Sequence, residues 1–188
     1  MVTIDGNNLT VEDVIRVARE NEKVSIDEKA MKKMEKNRLD LENIMKDGKT
    51  VYGVNTGFGD LVNVRIDEKS LYDLQRNLIR SHSSGVGDLL QKDVVRAAML
   101  IRANTLLKGY SGVRREVVDL LVEMLNRDIV PAVPSRGSVG ASGDLAPLAH
   151  VALAMMGEGD VIYNGEIRNA GDLLNELKIR ALDPREKE

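Results

Sequence analysis

Cysteine is absent from the 188 residues, as is tryptophan, and there are only two histidines, His82 and His150. Without thiols there is no disulfide framework, no thiolate nucleophile and no cysteine-based zinc site. Two histidines are too few for a His-rich metal cluster, so no metal is expected. Aromatics are scarce, with four Tyr and one Phe, and 27 Lys+Arg against 30 Asp+Glu leave a net charge of −3. Such a chain offers little for base stacking or phosphate neutralisation, and nucleic acid is not an expected partner. No apolar run reaches the roughly 18 residues of a membrane span. The N-terminal MVTIDGNN has neither a basic n-region nor an apolar h-region, so the expected compartment is the cytoplasm. What is present, 43% hydrophobic and 30% charged residues, describes one folded domain over residues 1–188 with a real core.

The pattern is mostly helical. Thr10 precedes a Val11, Val14, Ile15, Ala18 stripe at helical spacing. Ser25 with Glu28 reads as a capping box, and the helix after it should run to about Lys46, with Gly48 near its C-cap. Asp67 should open the next helix, with Leu71, Leu74 and Leu78 on one face. Further helices are expected from about Asp88 to Lys108 and from Ser111 to Arg127. Leu145 to Met156 is apolar nearly all round, which predicts a buried core helix. Val161-Ile162-Tyr163, Asn164-Gly165 and Glu166-Ile167-Arg168 read as a hairpin with a type I′ turn. A short helix near Asp172 to Lys178 should end the ordered part, leaving Leu182 to Glu188 as a charged tail. The class is mainly α, a helical bundle with a small β-hairpin.

Two Gly-rich segments interrupt the helices: YGVNTGFG from Tyr52 to Gly59 and SRGSVGASGD from Ser135 to Asp144. Long loops of this kind between good helices tend to be functional. The second admits three readings. It can be a connector in which Asp144 caps the following helix, with Pro147 in its first turn. It can be an anion nest at that helix N-terminus, although Gly137, Gly140 and Gly143 match neither a Walker loop nor a dinucleotide fingerprint. The third reading is covalent. In Ala141-Ser142-Gly143 the last residue has no Cβ, so its amide nitrogen can reach the Ala141 carbonyl carbon. Ring closure with loss of water gives an imidazolinone, and dehydration of Ser142 adds an exocyclic methylene. The product is an electrophile built from backbone.

SVGASGDLAPLAH resembles the signature of the aromatic amino acid ammonia-lyase family, and YGVNTGFG is similar to that family's tyrosine loop. RSHSSGVG and RANTLLKGYSGVR also match comparable family segments, so the resemblance covers essentially the whole chain. It implies the N-terminal part of the ammonia-lyase fold, with Ala141, Ser142 and Gly143 forming 4-methylidene-imidazole-5-one (MIO) autocatalytically. It also implies Tyr52 as the base that removes the substrate β-proton, Asn55, Gly57 and Gly59 as shapers of its loop, His82 in the substrate pocket and Asp144 in support of the MIO loop. Family members are much longer. The resemblance therefore implies an N-terminal fragment or one half of a split enzyme, its C-terminal helical part absent, and a homotetramer when complete.

Apart from the resemblance, Tyr52 reads as a loop anchor, His82 as a polar residue or cation at a helix end, and His150 as a satisfied core histidine. In Ser81-His82-Ser83-Ser84-Gly85 the histidine lies three residues before the glycine, the register of the histidine-specific members. The implied reaction is elimination of ammonia from L-histidine to give urocanate. The alternatives are a tyrosine or phenylalanine ammonia-lyase or aminomutase, or a non-catalytic assembly subunit.

Overall fold

The computed structural model describes residues 1–47, 51, 54–56, 68–137, 145–185 and 188, with 68–72 as backbone alone. In chain order the elements are β1 (Val2–Ile4), α1 (Val11–Arg19), β2 (Val24–Ile26), α2 (Glu28–Lys46), α3 (Glu68–His82), β3 (Val86–Leu89) and α4 (Lys92–Leu106). There follow α5 (Arg115–Asn126), β4 (Val130–Pro131), β5 (Pro134–Arg136), α6 (Leu145–Met155), β6 (Asp160–Tyr163), β7 (Glu166–Asn169) and α7 (Ala170–Glu176). The class is mainly α, as the sequence predicts. Among the described residues no helix is long and apolar enough to cross a membrane.

The core is centred on α4 and α5. Val95, Met99, Leu100, Ala103 and Leu106 of the first, and Val118, Leu121, Met124 and Leu125 of the second, are buried. Neither helix has a side-chain N-cap hydrogen bond, since Gln91 and Arg114 occupy those positions. A missing cap costs about 1 kcal/mol, whereas each large apolar side chain buried contributes about 1.5–3 kcal/mol. Packing therefore decides these two helices. α1 is the opposite case: Thr10 accepts from the Asp13 amide and the Asp13 carboxylate accepts in return from the Thr10 amide, a complete capping box. Arg96 of α4 lies inside the core at 1% exposure. It donates to the carbonyls of Val17 and Leu125 and to Asp128.

Several predicted boundaries move. Ser25 is not a cap: it sits in β2, bonded to the Thr3 hydroxyl across the β1–β2 pair, and Asp27 caps α2 by accepting from the Ala30 amide. The helix expected from about Asp88 starts at Lys92, because Asp88 and Leu89 belong to β3, which pairs antiparallel with β5. α5 starts at Arg115 rather than Ser111. Gly112 stands at φ +69, and a Cβ there would lie 2.6 Å from Leu41 Cδ2, so this turn must stay open against α2. α6 is covered on one side only, by α3, β4 and α7; Leu145 and Leu148 remain 47% and 40% exposed. The segment after α7 is tied back to the fold. The Leu182 amide donates to the Met155 carbonyl, and Glu188 accepts from the Arg114 guanidinium at 2.6 Å with its own side chain fully buried. The hairpin agrees with its prediction: Asn164 and Gly165 both have positive φ, as a type I′ turn requires. Gly48 and Asp67 lie outside the described residues.

A charged clasp joins α3 to the end of α6. Glu158 accepts from Arg80 Nη2 at 2.6 Å and from Arg76 Nη2 at 3.1 Å. The bond from Arg80, then the two positive charges, hold the Glu158 carboxyl below its ordinary 4.5 against the opposing effect of burial. A depressed folded pKa stabilises the fold above the unfolded value, and that stability is lost as pH falls through the folded pKa. Glu158→Gln is expected to lower Tm by a few degrees at pH 7. The difference from the parent should narrow as pH falls below 4.5 toward the lower folded value. Thermal melts at pH 7 and across the acid range check this, and a gap of constant size would contradict it.

Candidate active site

The site begins at the C-terminal end of α3. The ring of His82 is half-buried, and its Nδ1 lies 2.8 Å from the Leu78 carbonyl one turn back. A carbonyl only accepts, so Nδ1 carries the proton and, in the neutral ring, Nε2 holds the lone pair. Among the described residues Nε2 has no hydrogen-bond partner. Ser83 Oγ donates to the Ile79 carbonyl at 2.8 Å and Ser81 Oγ to the Leu78 carbonyl at 2.9 Å, so the helix end is fixed on both sides of the ring.

Three residues on, the Gly85 amide donates to His150 Nε2 of α6 at 3.1 Å. The backbones at this point allow no Cβ. One on Gly85 would stand 2.9 Å from His150 Nε2 and 3.1 Å from Pro134 Cβ. One on Gly137 would stand 2.8 Å from Ala146 Cβ and 3.1 Å from Gly85 Cα. Gly137 and Ala146, which stand on either side of residues 138–144 in the sequence, thus meet, and Gly85, three residues after the end of α3 at His82, lies against Gly137. His150 is a satisfied histidine, as the sequence predicts, and burial pushes its pKa below the ordinary 6.5.

Asn55 is buried and closes a turn: its Oδ1 accepts from the Val51 amide at 2.8 Å, and its own amide donates to the Val51 carbonyl at 3.2 Å. The turn brackets Tyr52. Tyr52 itself, Gly57 and Gly59, and likewise Ala141, Ser142, Gly143 and Asp144, lie outside the described residues. The structure thus brings Gly85, three residues after His82, against Gly137 and His150, and Gly137 against Ala146. Sequence reading missed the partnership of Gly85, Gly137 and Ala146 with His150. The only local signal is that Ala146 and His150 share a helix face at i, i+4; nothing in the chain links either to Gly85, 65 residues away from His150.

Residues 9–188 match the profile of the aromatic amino acid lyase family. The chain is 52% identical to "Probable histidine ammonia-lyase" of Thermoplasma volcanium over 188 residues, all of this chain and 38% of that protein. Among solved structures it is similar to tyrosine aminomutase from Streptomyces globisporus, with TM-score 0.93 and 42% identity over 99% of this chain and 35% of that one. It is similar as well to histidine ammonia-lyase from Trypanosoma cruzi, with TM-score 0.91 and 37% identity over all of this chain and 36% of the other. The chain thus spans a little over a third of the length of the relatives it matches. Over that span, from the Gly-rich loops to the folded frame around them, it belongs to the aromatic amino acid lyase family.

Proposed function

We propose that this chain is the electrophile-bearing part of a histidine ammonia-lyase, which eliminates ammonia from L-histidine to give urocanate. The observation that carries the reading is the contact between Gly137 and Ala146, with Gly85 against Gly137. Cyclisation of Ala141-Ser142-Gly143 needs the Gly143 nitrogen pressed on the Ala141 carbonyl carbon, and a loop whose ends are already in contact has lost most of the freedom that opposes it. The space left at its mouth, too small for a Cβ at position 137, fits a compressed loop. Once formed, MIO supplies an electrophile that promotes departure of a poor leaving group without a metal.

The remaining steps fall to side chains. Tyr52 takes the β-proton; a free phenol has pKa near 10, so its loop must position or acidify it. Asn55 and Gly59 shape that loop, and Asp144 supports the triad. His82, whose Nε2 has no partner among the described residues, accepts from an N–H of the substrate imidazole. A desolvated imidazole must keep its nitrogens bonded, and a phenyl ring in its place would strand His82. In this reading the complete protein is a homotetramer, or this chain works with a C-terminal partner half, and the chain alone turns over little or nothing.

The test is a panel of histidine, tyrosine and phenylalanine with the chain joined to its C-terminal complement, followed by urocanate absorbance. Histidine should be fastest, and His82→Leu should lower kcat/KM for it about ten- to a hundredfold. Faster turnover of tyrosine or phenylalanine would replace the assignment by a lyase or aminomutase of that substrate. No turnover of any amino acid would favour a non-catalytic assembly subunit.

A further inference from the structure

We propose that His150 is a positioning residue of this site: by accepting the Gly85 amide it sets the His82 loop against the helix that follows Ala141-Ser142-Gly143, and it does so only while its ring is neutral. The proposal rests on the lyase reading above for what is being positioned, but the contact itself stands on geometry. A backbone N–H can only donate, so Nε2 must present a lone pair, which puts the single proton of the neutral ring on Nδ1. Protonation would place an N–H at Nε2 facing the Gly85 N–H, and the 3.1 Å contact could not persist.

There is little room for the loop to shift while keeping this bond. A Cβ at position 85 would meet the ring on one side and Pro134 on the other, and one at position 137 would meet Ala146 and Gly85. Ala146 is one helical turn before His150, and His82 is three residues before Gly85. The four positions 85, 137, 146 and 150 form a closed ring of contacts around the mouth of the 138–144 segment. Moving Gly85 or His150 therefore disturbs the chain three residues after His82.

The charged surroundings leave the ring to its burial. Among the described side chains, the titratable groups on the elements packed against α6 are Asp73, Arg76, Arg80 and His82 of α3, and Asp172 and Glu176 of α7; the β3–β5 pair beside Gly85 and Pro134 adds Asp88 and Arg136. Glu158 and Asp160 follow α6 itself, and Glu158 is held by Arg76 and Arg80. None of these bonds to the His150 ring, and burial is the one cause that shifts it, downward. The ring is therefore neutral at pH 7. The contact is complete above 6.5, the ordinary value, and is lost as pH falls through the lower folded value.

The test is nuclear magnetic resonance on the 15N-labelled 188-residue chain, with His150→Gln and His150→Leu. The expected results are an Nδ1–H tautomer for His150, and a Gly85 amide and a His82 ring that both shift with the midpoint of the His150 titration. Hydrogen exchange at Gly85 should speed up about tenfold in His150→Leu. His150→Gln keeps an acceptor that does not titrate, so protection should return and the pH response at Gly85 should vanish. In the enzyme completed with its C-terminal part, kcat/KM for histidine should follow the same order, with the acid limb altered in the Gln variant. An Nε2–H tautomer, or Gly85 and His82 signals that ignore the His150 titration, would overturn the proposal. These signals are read without turnover, so a chain that never cyclises or eliminates ammonia would sink the lyase reading and leave the His150 link to be decided by its own titration. If His150→Leu does not fold, the parent titration and the Gln variant still decide.

Discussion

Ser142→Ala is expected to abolish both the mass deficit and the chemistry of the completed enzyme. In the parent, ring closure of Gly143 nitrogen on the Ala141 carbonyl releases one water, and loss of the Ser142 hydroxyl releases a second. The active species should therefore be two waters lighter than the sequence requires. Alanine at position 142 has no hydroxyl to lose, so no exocyclic methylene forms and that two-water deficit disappears. Turnover should fall at least about a thousandfold, the scale of losing about 4 kcal/mol of transition-state stabilisation. Intact mass and urocanate formation, measured on the same preparation, check both halves. An unmodified mass in a demonstrably active complex would rule out the covalent mechanism. The structural ground for expecting cyclisation is the mouth of the loop, where Gly137 and Ala146 meet.

Arg96→Ala is expected to be among the most destabilising single changes outside the site. The guanidinium is 1% exposed. Its Nη2 donates to the Val17 carbonyl at 2.7 Å, and its Nη1 to the Leu125 carbonyl and Asp128 Oδ1, both at 3.0 Å. Those partners belong to α1, to the last turn of α5 and to the turn after it, so one side chain of α4 links three helices. Truncation leaves two buried carbonyls without this donor and opens a cavity where the side chain was. The expected loss is about 3–5 kcal/mol, or a Tm lower by about 10 °C for a domain of this size. Arg96→Lys should recover less than half, because a single ammonium cannot satisfy the same spread of acceptors. Urea titrations of the three proteins measure this. A loss below about 1 kcal/mol would mean that water or neighbouring donors replace the guanidinium.

How much of this was legible beforehand depends on the reach of each signal. The helix after Thr10, the α5 stripe and the Asn164-Gly165 turn are governed by residues within about four positions of each other and agree with the structure, although Val11 and Ile15 of the α1 stripe are exposed. The Ala141-Ser142-Gly143 triad is local in the same sense, since its chemistry needs only three consecutive residues. The failures have the opposite character. Asp88 and Leu89 look like the start of a helix until β5, with Pro134 opposite Leu89, claims their strand. Ser25 looks like a cap until Thr3 takes its hydroxyl. The charged tail looks free until Arg114 is found bound to Glu188.

By itself, then, the sequence determined the helical class and the hairpin, because each is written in spacing along the chain, and it offered Ala141-Ser142-Gly143 as a candidate triad in consecutive residues. Tertiary structure alone decided that α6 leaves Leu145 and Leu148 exposed, that Gly137 meets Ala146, and that Gly85 is bonded to His150 beside them. Those facts depend on how closely two backbones approach across 65 residues of chain. The only trace of such an approach in sequence is a glycine, which does not name its neighbour.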